Sequence, residues 1–383
     1  MTTRKDNKKN ATKASGDAKT SDAQAIKPTS HKPQEPIEKP VTVFPIVGIG
    51  ASAGGLAAFE AFFSGMPTDT DPDMAFVLVQ HLAPDHSSIL TDLIQRYTRM
   101  KVYQVENGMQ VQPNCAYIIP PNRDMALLNG TLQLLMPFAP RGQRLPIDFF
   151  FRSLAQDQHE RAIGIILSGT GSDGTSGARA IKAEGGIVMA QDTESTEFNG
   201  MPCSIIATGL VDYVMSPAEM PAQLIKYVKH AFSKRPALIN TTVVPPQAIL
   251  NQIFVLLRGQ TGHDFSLYKP KTIYRRIERR MAVQQIDNID LYLRFLQRNP
   301  AEVNALFADL LIGVTNFFRD PDAFMALEKQ IIPTLFLEKP LSTTIRIWSP
   351  GCSSGEEAYS IAILVQEYLE LTQQSYQVQI FAT

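Results

Sequence analysis

The sequence predicts an α/β protein: a doubly wound domain on a parallel sheet, then a small all-α domain, then the start of a second α/β domain. Three observations carry this. Between residues 41 and 232, apolar runs of about five residues alternate with helix-length amphipathic stretches, which calls for a largely parallel sheet covered on both faces. Residues 247–310 then show mainly helical periodicity. From residue 344 a strand, a Gly/Ser turn and a helix follow one another.

Bulk properties narrow the function. A length of 383 residues allows two or three domains at roughly 150 residues each. Net charge is −1, so global charge favours neither nucleic acid nor a membrane surface. The 3 cysteines, Cys115, Cys203 and Cys352, lie far apart. No pair has metal-ligand spacing, and the odd count argues against a disulfide framework. A reducing cytoplasm and no metal are therefore expected. Apolar runs such as 162–167 fall far short of the ~20 residues that span a bilayer, so no membrane insertion is expected. The basic N-terminus lacks the apolar core of a secretory signal.

Residues 1–40 contain no aromatic residue and hold nine Lys/Arg and five Asp/Glu. Such a segment cannot bury enough surface to offset its ordering entropy, which predicts a disordered tail. Strands are expected at 45–49, 75–79, 116–119, 163–167 and 187–190, and helices at 56–64, 88–98, 149–158 and 176–183. Asn129-Gly130, between two pairs of leucines, predicts a hairpin turn. A proline-rich linker is expected over 233–245, a helical domain over 246–300 and the second α/β domain over 301–383.

The first segment with chemistry is Pro45-Ile-Val-Gly-Ile-Gly-Ala-Ser-Ala-Gly-Gly55, a strand running into a glycine turn and a helix. Gly50, Ser52 and Gly54 match G-x-S-x-G, which would present the Ser52 hydroxyl at the carboxyl end of the sheet. The Ala53 amide, opening the next helix, could donate to an oxyanion. Two rival readings stay open: a plain tight turn, and a dinucleotide loop on Gly48, Gly50 and Gly54, although G-x-G-x-x-x-G is one residue too long for it. His81 ends the strand over 75–79, where parallel sheets place their sites. Asp173 lies in the turn after the strand over 163–167, and could equally be a helix cap. In catalytic roles, His81 would take the Ser52 proton, and Asp173 would fix the imidazole tautomer and stabilise the imidazolium.

Gly50-Ala-Ser-Ala-Gly-Gly55, Gln80-His81, Gly169-Thr-Gly-Ser-Asp-Gly174 and Gly200-Met-Pro202 together resemble the four signature blocks of CheB-type chemotaxis receptor methylesterases over about residues 41–232. The resemblance implies hydrolysis of glutamate methyl esters on chemoreceptor-like proteins, with deamidation of receptor glutamines as a companion activity. It places the family's catalytic serine, histidine and aspartate on Ser52, His81 and Asp173. Members often carry threonine where Ala53 stands and methionine where Thr170 stands, so backbone oxyanion contacts are expected from both positions.

In Lys269-Pro-Lys-Thr-Ile-Tyr-Arg-Arg-Ile-Glu-Arg-Arg280, the i,i+4 pairs Arg275/Arg279 and Arg276/Arg280 predict one positive helix face opposite Ile273, Ile277 and Met281. It reads either as a solvated face or as a docking surface for an acidic helix. Nucleic acid is disfavoured, since no aromatic residues interleave with the arginines. Further on stand Gly313-Val-Thr-Asn-Phe-Phe-Arg-Asp320 and Arg346-Ile-Trp-Ser-Pro-Gly-Cys-Ser-Ser-Gly-Glu-Glu-Ala-Tyr-Ser360. Acids at a helix start disfavour a phosphate ligand and suit a cationic or hydroxyl-bearing one.

These blocks resemble CheR-type chemotaxis receptor methyltransferases, which use S-adenosylmethionine, over about residues 246–383. That implies a Rossmann-like fold for the last domain, cofactor contacts at Thr315, Arg319 and Glu357, and receptor docking by the basic helix. Gly313 stands where some members have asparagine. The family's next cofactor aspartate would follow Thr383, so an incomplete transferase is expected, with sensor-kinase modules in cis as further partners. The function expected is a methylesterase fused to a methyltransferase acting on the same class of glutamates. The alternative is a non-catalytic receptor-binding scaffold.

Overall fold

The computed structural model describes residues 44–69, 71–80, 87–137, 139–140, 143–232, 247–313 and 315–383. The expected tail over 1–40, the expected linker over 233–245 and His81 lie outside the described residues.

A parallel sheet of seven strands forms the first half. In chain order its strands are β1 (Ile46–Ala51), β2 (Ala75–Gln80), β3 (Lys101–Gln104), β5 (Cys115–Ile118), β8 (Ala162–Ile166), β9 (Ile187–Gln191) and β10 (Tyr213–Met215). Their spatial order is β10-β9-β8-β1-β2-β5-β3. β1 is central because every one of its residues is buried, as an apolar run on both faces requires. From β1 the chain moves to β2 and on to that edge, then returns to pair β8 with the other side of β1. Strand order thus reverses at β1, and the carboxyl ends of β1 and β8 frame the crevice where open α/β sheets hold their sites.

Helices cover both faces. On one side α1 (Gly55–Ser64), α2 (Ser87–Tyr97) and α6 (Met220–Phe232) pack over Val47, Ile49 and Ala51. On the other, α3 (Pro146–Gln158), α4 (Thr175–Ala183) and α5 (Gly200–Ile206) pack over Ile46, Val77 and Val188. Ile147, Phe150, Phe151 and Leu154 of α3 are fully buried, worth about 1.5–3 kcal/mol each in transfer terms.

Gly48 and Gly50 explain how α3 comes so near. A Cβ on Gly50 would stand 2.4 Å from Ile147 Cγ2, and one on Gly48 2.8 Å from Phe151 Cε1. Both glycines lie inside β1 and serve helix packing, not a phosphate-binding turn, which removes the dinucleotide reading.

A small antiparallel sheet joins β4 (Met109–Gln110), β7 (Thr131–Leu135) and β6 (Asp124–Leu128). Its hairpin turns at Asn129 and Gly130, both with positive φ (51° and 70°), as that dipeptide predicts. Strands β3 and β10 have no counterpart in the sequence expectations. Both lie at sheet edges, and their partly exposed residues form no apolar run.

Helices α7 (Gln247–Thr261), α8 (Pro270–Val283), α9 (Ile289–Arg298) and α10 (Pro300–Leu310) share a separate core around Leu250, Ile273, Tyr292 and Leu306. Val303 and Leu306 are buried in it, so α10 belongs with the helices and the expected break at residue 300 falls too early. After α11 (Pro321–Ala326) and α12 (Ile332–Phe336), β11 (Thr344–Ser349) leads through α13 (Glu356–Thr372) to β12 (Gln377–Ala382). β11 and β12 pair in parallel, the right start for a Rossmann-like sheet. Among the described residues no helix is long and apolar enough to cross a membrane.

Candidate active site

β1 ends at Ala51, so Ser52 is the first residue beyond the sheet. Gly54 then takes φ 71°, and α1 begins at Gly55, where the Gly55 N–H donates to the Ser52 carbonyl at 3.0 Å. This is a sharp strand-to-helix turn with a half-buried serine at its apex. The Ser52 N–H donates to the Ser168 carbonyl at 2.9 Å, tying the serine to the end of the neighbouring strand β8. Contact there is tight: a Cβ on Gly169 would lie 3.0 Å from Ser52 Cβ.

Ser168 and Gln191 build the floor beneath that contact, and sequence reasoning did not single out either. The buried Ser168 hydroxyl donates to the Ala53 carbonyl at 2.9 Å and accepts from the Phe198 N–H at 3.1 Å. Gln191 accepts from the Ser168 N–H at 2.9 Å and donates to the Ser195 carbonyl at 2.8 Å. Three loops, from β1, β8 and β9, are thereby stapled at one sheet edge. Ser168 directly follows Leu167 at the end of an apolar run, and a buried hydroxyl at that position is the signal that could have found it.

Asp173 stands in the turn after β8 and is 4% exposed. Its carboxyl accepts from the N–H groups of Ile147 and Asp148 at 3.1 and 2.9 Å, so it caps α3, a helix from 26 residues upstream, not the helix that follows it. Asp148 is another residue the sequence reading missed. It accepts from the Gly177 N–H at 2.6 Å, at the head of α4. Burial pushes its carboxyl above the usual range, the Gly177 N–H opposes this, and the neighbouring Asp173 adds to the rise. Asp148 sits two residues after Pro146 in a helix's first turn, where an acid suits the helix dipole, but its partner Gly177 lies 29 residues on, beyond any local pattern.

Ser52 and the turn bearing Asp173 thus meet at adjacent strand ends. The third residue, His81, directly follows Gln80, the last residue of β2, which pairs with Ala51. Gln80 itself donates to the Ser52 carbonyl at 3.3 Å. Of the two positions expected to face an oxyanion, Ala53 is half-buried in the serine turn and Thr170 is exposed in the aspartate turn.

The second site centres on the Gly351–Gly355 turn, where Gly351, Ser353 and Gly355 all take positive φ. A cavity of 430 Å³ opens there, lined by Cys352, Ser353, Gly355, Tyr359 and Ala382 among others. Glu357 is exposed, and its carboxyl accepts from Ser349 Oγ at 2.9 Å. Thr315 lines a different cleft with Ser353 and Glu356. Arg319 is exposed in the segment before α11. The three expected cofactor contacts are not gathered into one cavity.

The basic helix α8 departs from expectation. Arg276, Arg279 and Arg280 are 6%, 6% and 5% exposed. Arg276 donates to the Lys182 and Ala183 carbonyls, and Arg279 to the Gly186 carbonyl and to Asp212 and Asp309. Arg280 forks onto Glu302 at 2.9 and 2.6 Å and also reaches Asp212. Exposed Arg275 donates to the Glu184 carbonyl at 3.0 Å. The face expected to dock a receptor is committed to partners within the same chain, on the first half and on Glu302 and Asp309 of α10. Guanidinium groups that are buried and hydrogen-bonded do not present charge to an outside partner. Burial alone would raise the Asp212 carboxyl, but Arg279, Lys182 and Arg280 outweigh it and hold it well below the usual range. Among the described residues, no three His, Cys, Asp or Glu are grouped to hold a metal.

Residues 47–224 match the CheB methylesterase family, residues 248–311 the all-alpha domain of CheR methyltransferase, and residues 313–383 its SAM-binding domain. A 104.1 kDa uncharacterized protein of Rhodobacter capsulatus is 36% identical over 321 residues, 77% of this chain and 33% of its own length. The protein-glutamate methylesterase/protein-glutamine glutaminase of Photorhabdus laumondii is 34% identical over 202 residues, 52% of this chain and 55% of its own. The crystal structure of the Thermotoga maritima CheB methylesterase catalytic domain is 30% identical, covering 48% of this chain and 98% of its own, with a TM-score of 0.44. The chain therefore spans between 33% and 55% of the length of the first two relatives. The chain thus carries a CheB methylesterase domain match over residues 47–224, followed by matches to the two domains of CheR methyltransferase over residues 248–311 and 313–383.

Proposed function

We propose that the first half of the chain hydrolyses methyl esters of protein glutamates, with Ser52 as nucleophile, His81 as base and Asp173 as its orienting acid. The observation that carries this reading is the Ser52 N–H bond to Ser168, which sets the serine turn against the aspartate turn at the point where strand order reverses. Relatives known as protein-glutamate methylesterase/protein-glutamine glutaminase support the substrate class and a companion deamidation.

In the reaction His81 takes the Ser52 proton as the oxygen attacks the ester carbonyl. The tetrahedral oxyanion is met by the N–H groups of Ala53 and Thr170, each donor worth about 10²–10³ in rate. His81 returns the proton to the departing methoxide, releasing methanol, and water then frees the acyl-Ser52. The esterase half needs no cofactor.

The second half is read as a glutamate O-methyltransferase, whose S-adenosylmethionine supplies an electrophilic methyl on sulfonium when bound. The residues fit such a group: a glycine-rich turn with a cavity at the end of β11, and acids Glu356 and Glu357 at the head of α13, which suit a cation over a phosphate. Cys352, Ser353, Gly355 and Tyr359 line that cavity, while Thr315, Arg319 and Glu357 stand outside it and would have to close on the group to hold it, Arg319 then pairing with its carboxylate. On this reading the chain comprises an esterase over residues 41–232, a helical domain from 246 to the end of α10, and the transferase beyond. It works in the cytoplasm on chemoreceptor-like proteins, with sensor-kinase modules in cis as further partners.

The test is methanol release. The whole chain is incubated with receptor fragments carrying labelled methyl esters, and volatile label is counted beside the Ser52→Ala variant. Loss of label release in Ser52→Ala is expected. Release at the parent rate by the variant rejects the hydrolase and leaves the binding scaffold.

A further inference from the structure

Helix α4 is anchored at both ends by charged side chains from different parts of the chain. At its head, Asp148 of α3 accepts from the Gly177 N–H at 2.6 Å. Asp173 stands just before that head and is bonded to the N–H groups of Ile147 and Asp148. At its tail, Arg276 donates to the Lys182 and Ala183 carbonyls at 2.8 and 2.9 Å, Arg275 to Glu184 at 3.0 Å, and Arg279 to Gly186 at 2.9 Å. These carbonyls belong to the last turn of α4 and the segment leaving it, where a helix has its unpaired acceptors and the negative end of its dipole. Lys182 of the same turn is pinned by Asp212 and by Asp309, the latter from α10.

Between these anchors α4 is a stiff rod of nine residues, roughly 13 Å long. Its head cannot slide freely, since a Cβ on Gly177 would lie 2.5 Å from Phe151 Cβ of α3. A displacement at the tail is therefore carried along the rod as strain on the Asp148–Gly177 bond and on the turn that carries Asp173.

We propose that α8 is a positioning element for the esterase: by fixing the tail of α4, Arg276, with Arg275 and Arg279, sets where Asp173 stands relative to Ser52. The proposal rests on the assignment of Asp173 as the acid of the esterase. The arginines touch neither substrate nor Ser52 and act only through α4. Misplacement of a catalytic group by about 1 Å costs on the order of 100-fold in rate, so a partial shift is measurable. The planar guanidinium matters because it bonds two successive carbonyls at once, which an ammonium group does less well.

Arg276→Met, Arg276→Lys and Asp173→Asn are compared in the whole chain. A fluorophosphonate that labels Ser52 counts the active sites, so kcat is read per folded site. Expected is a fall in kcat of roughly tenfold in Arg276→Met with KM within about twofold, and partial recovery in Arg276→Lys. A parent-like kcat per site in Arg276→Met overturns the proposal. Should Arg276→Met fail to fold, Arg275→Met replaces it, since Arg275 is exposed and makes one such bond. Its Ser52 labelling rate is expected to fall about two- to threefold, and an unchanged rate overturns the proposal. If Asp173→Asn is inactive while the arginine variants keep full kcat, the coupling alone fails. If Asp173→Asn keeps full kcat, the acid assignment fails and the coupling with it.

Discussion

Asp148 and Asp173 hold the heads of each other's helices. Asp173, in the turn leading into α4, accepts from the N–H groups of Ile147 and Asp148 at the head of α3. Asp148, in the first turn of α3, accepts from Gly177 at the head of α4. The acid assigned to the esterase is therefore a structural cap as well, and the two uses agree. Two N–H donors fix the orientation of a carboxyl, which an orienting acid requires.

This pair predicts a pH dependence of stability. The folded Asp148 carboxyl has a raised pKa, so the folded state binds its proton more tightly than the unfolded state, where the value is near 3.8. Stability from Asp148 is fully present below pH 3.8 and is lost as pH rises through the folded value. Asp148→Asn keeps an acceptor for Gly177 and cannot ionise. Its urea midpoint, followed by circular dichroism from pH 3 upward, should gain on the parent as pH increases. A parent-minus-variant difference that stays flat removes the claim.

Close packing of β1 on α3 predicts a compensating pair. Gly50→Ala places a Cβ against Ile147 and should cost roughly 1–3 kcal/mol. Ile147→Ala alone leaves a cavity and should cost about 2–5 kcal/mol. Together they should cost less than the sum, because the new methyl fills part of the space vacated. A double-mutant cycle by chemical unfolding measures the coupling, and additivity within about 0.5 kcal/mol contradicts the packing account.

Much of the sheet could be read from the chain, because β1, β2, β8 and β9 are buried on both faces and so appear as apolar runs. The same logic hid β3, whose Lys101 and Gln104 face solvent. At the site, Ser52 and Asp173 stand out through their glycine turns, but which helix Asp173 caps depends on a partner 26 residues upstream. The arginines of α8 show the limit most plainly. An amphipathic basic stripe looks alike whether it meets water, a receptor or another part of the same chain. Its counter-charges Asp212 and Asp309 lie 67 and 30 residues from Arg279, beyond any local pattern.

Ser168→Ala should damage the site more than the fold. The hydroxyl joins Ala53 to Phe198, one loop on each side of the aspartate turn. Its loss leaves the Ala53 carbonyl without that donor and should cost about 1–3 kcal/mol. Since Ala53 adjoins the nucleophile, kcat for ester hydrolysis should fall by about tenfold or more. Parent-like kcat in a folded Ser168→Ala protein, by the methanol assay, would falsify a supporting role.

Asp212 is the anion on which the junction between the two halves depends. Its carboxyl, wholly buried, meets Lys182, Arg279 and Arg280 and also accepts from the Val188 N–H at 3.0 Å. Asp212→Asn keeps the shape but leaves three buried cations with only Asp309 and Glu302, and should cost about 3–5 kcal/mol at neutral pH. The folded pKa of Asp212 is depressed, so its contribution is present above the unfolded value of 3.8 and fades as pH falls below it. The gap between parent and variant should therefore be widest at neutral pH and narrow under acid. Urea midpoints of the whole chain at pH 7 and pH 3 decide the matter. A gap of equal size at both would mean that Asp212 holds the junction by shape alone, with its charge contributing nothing.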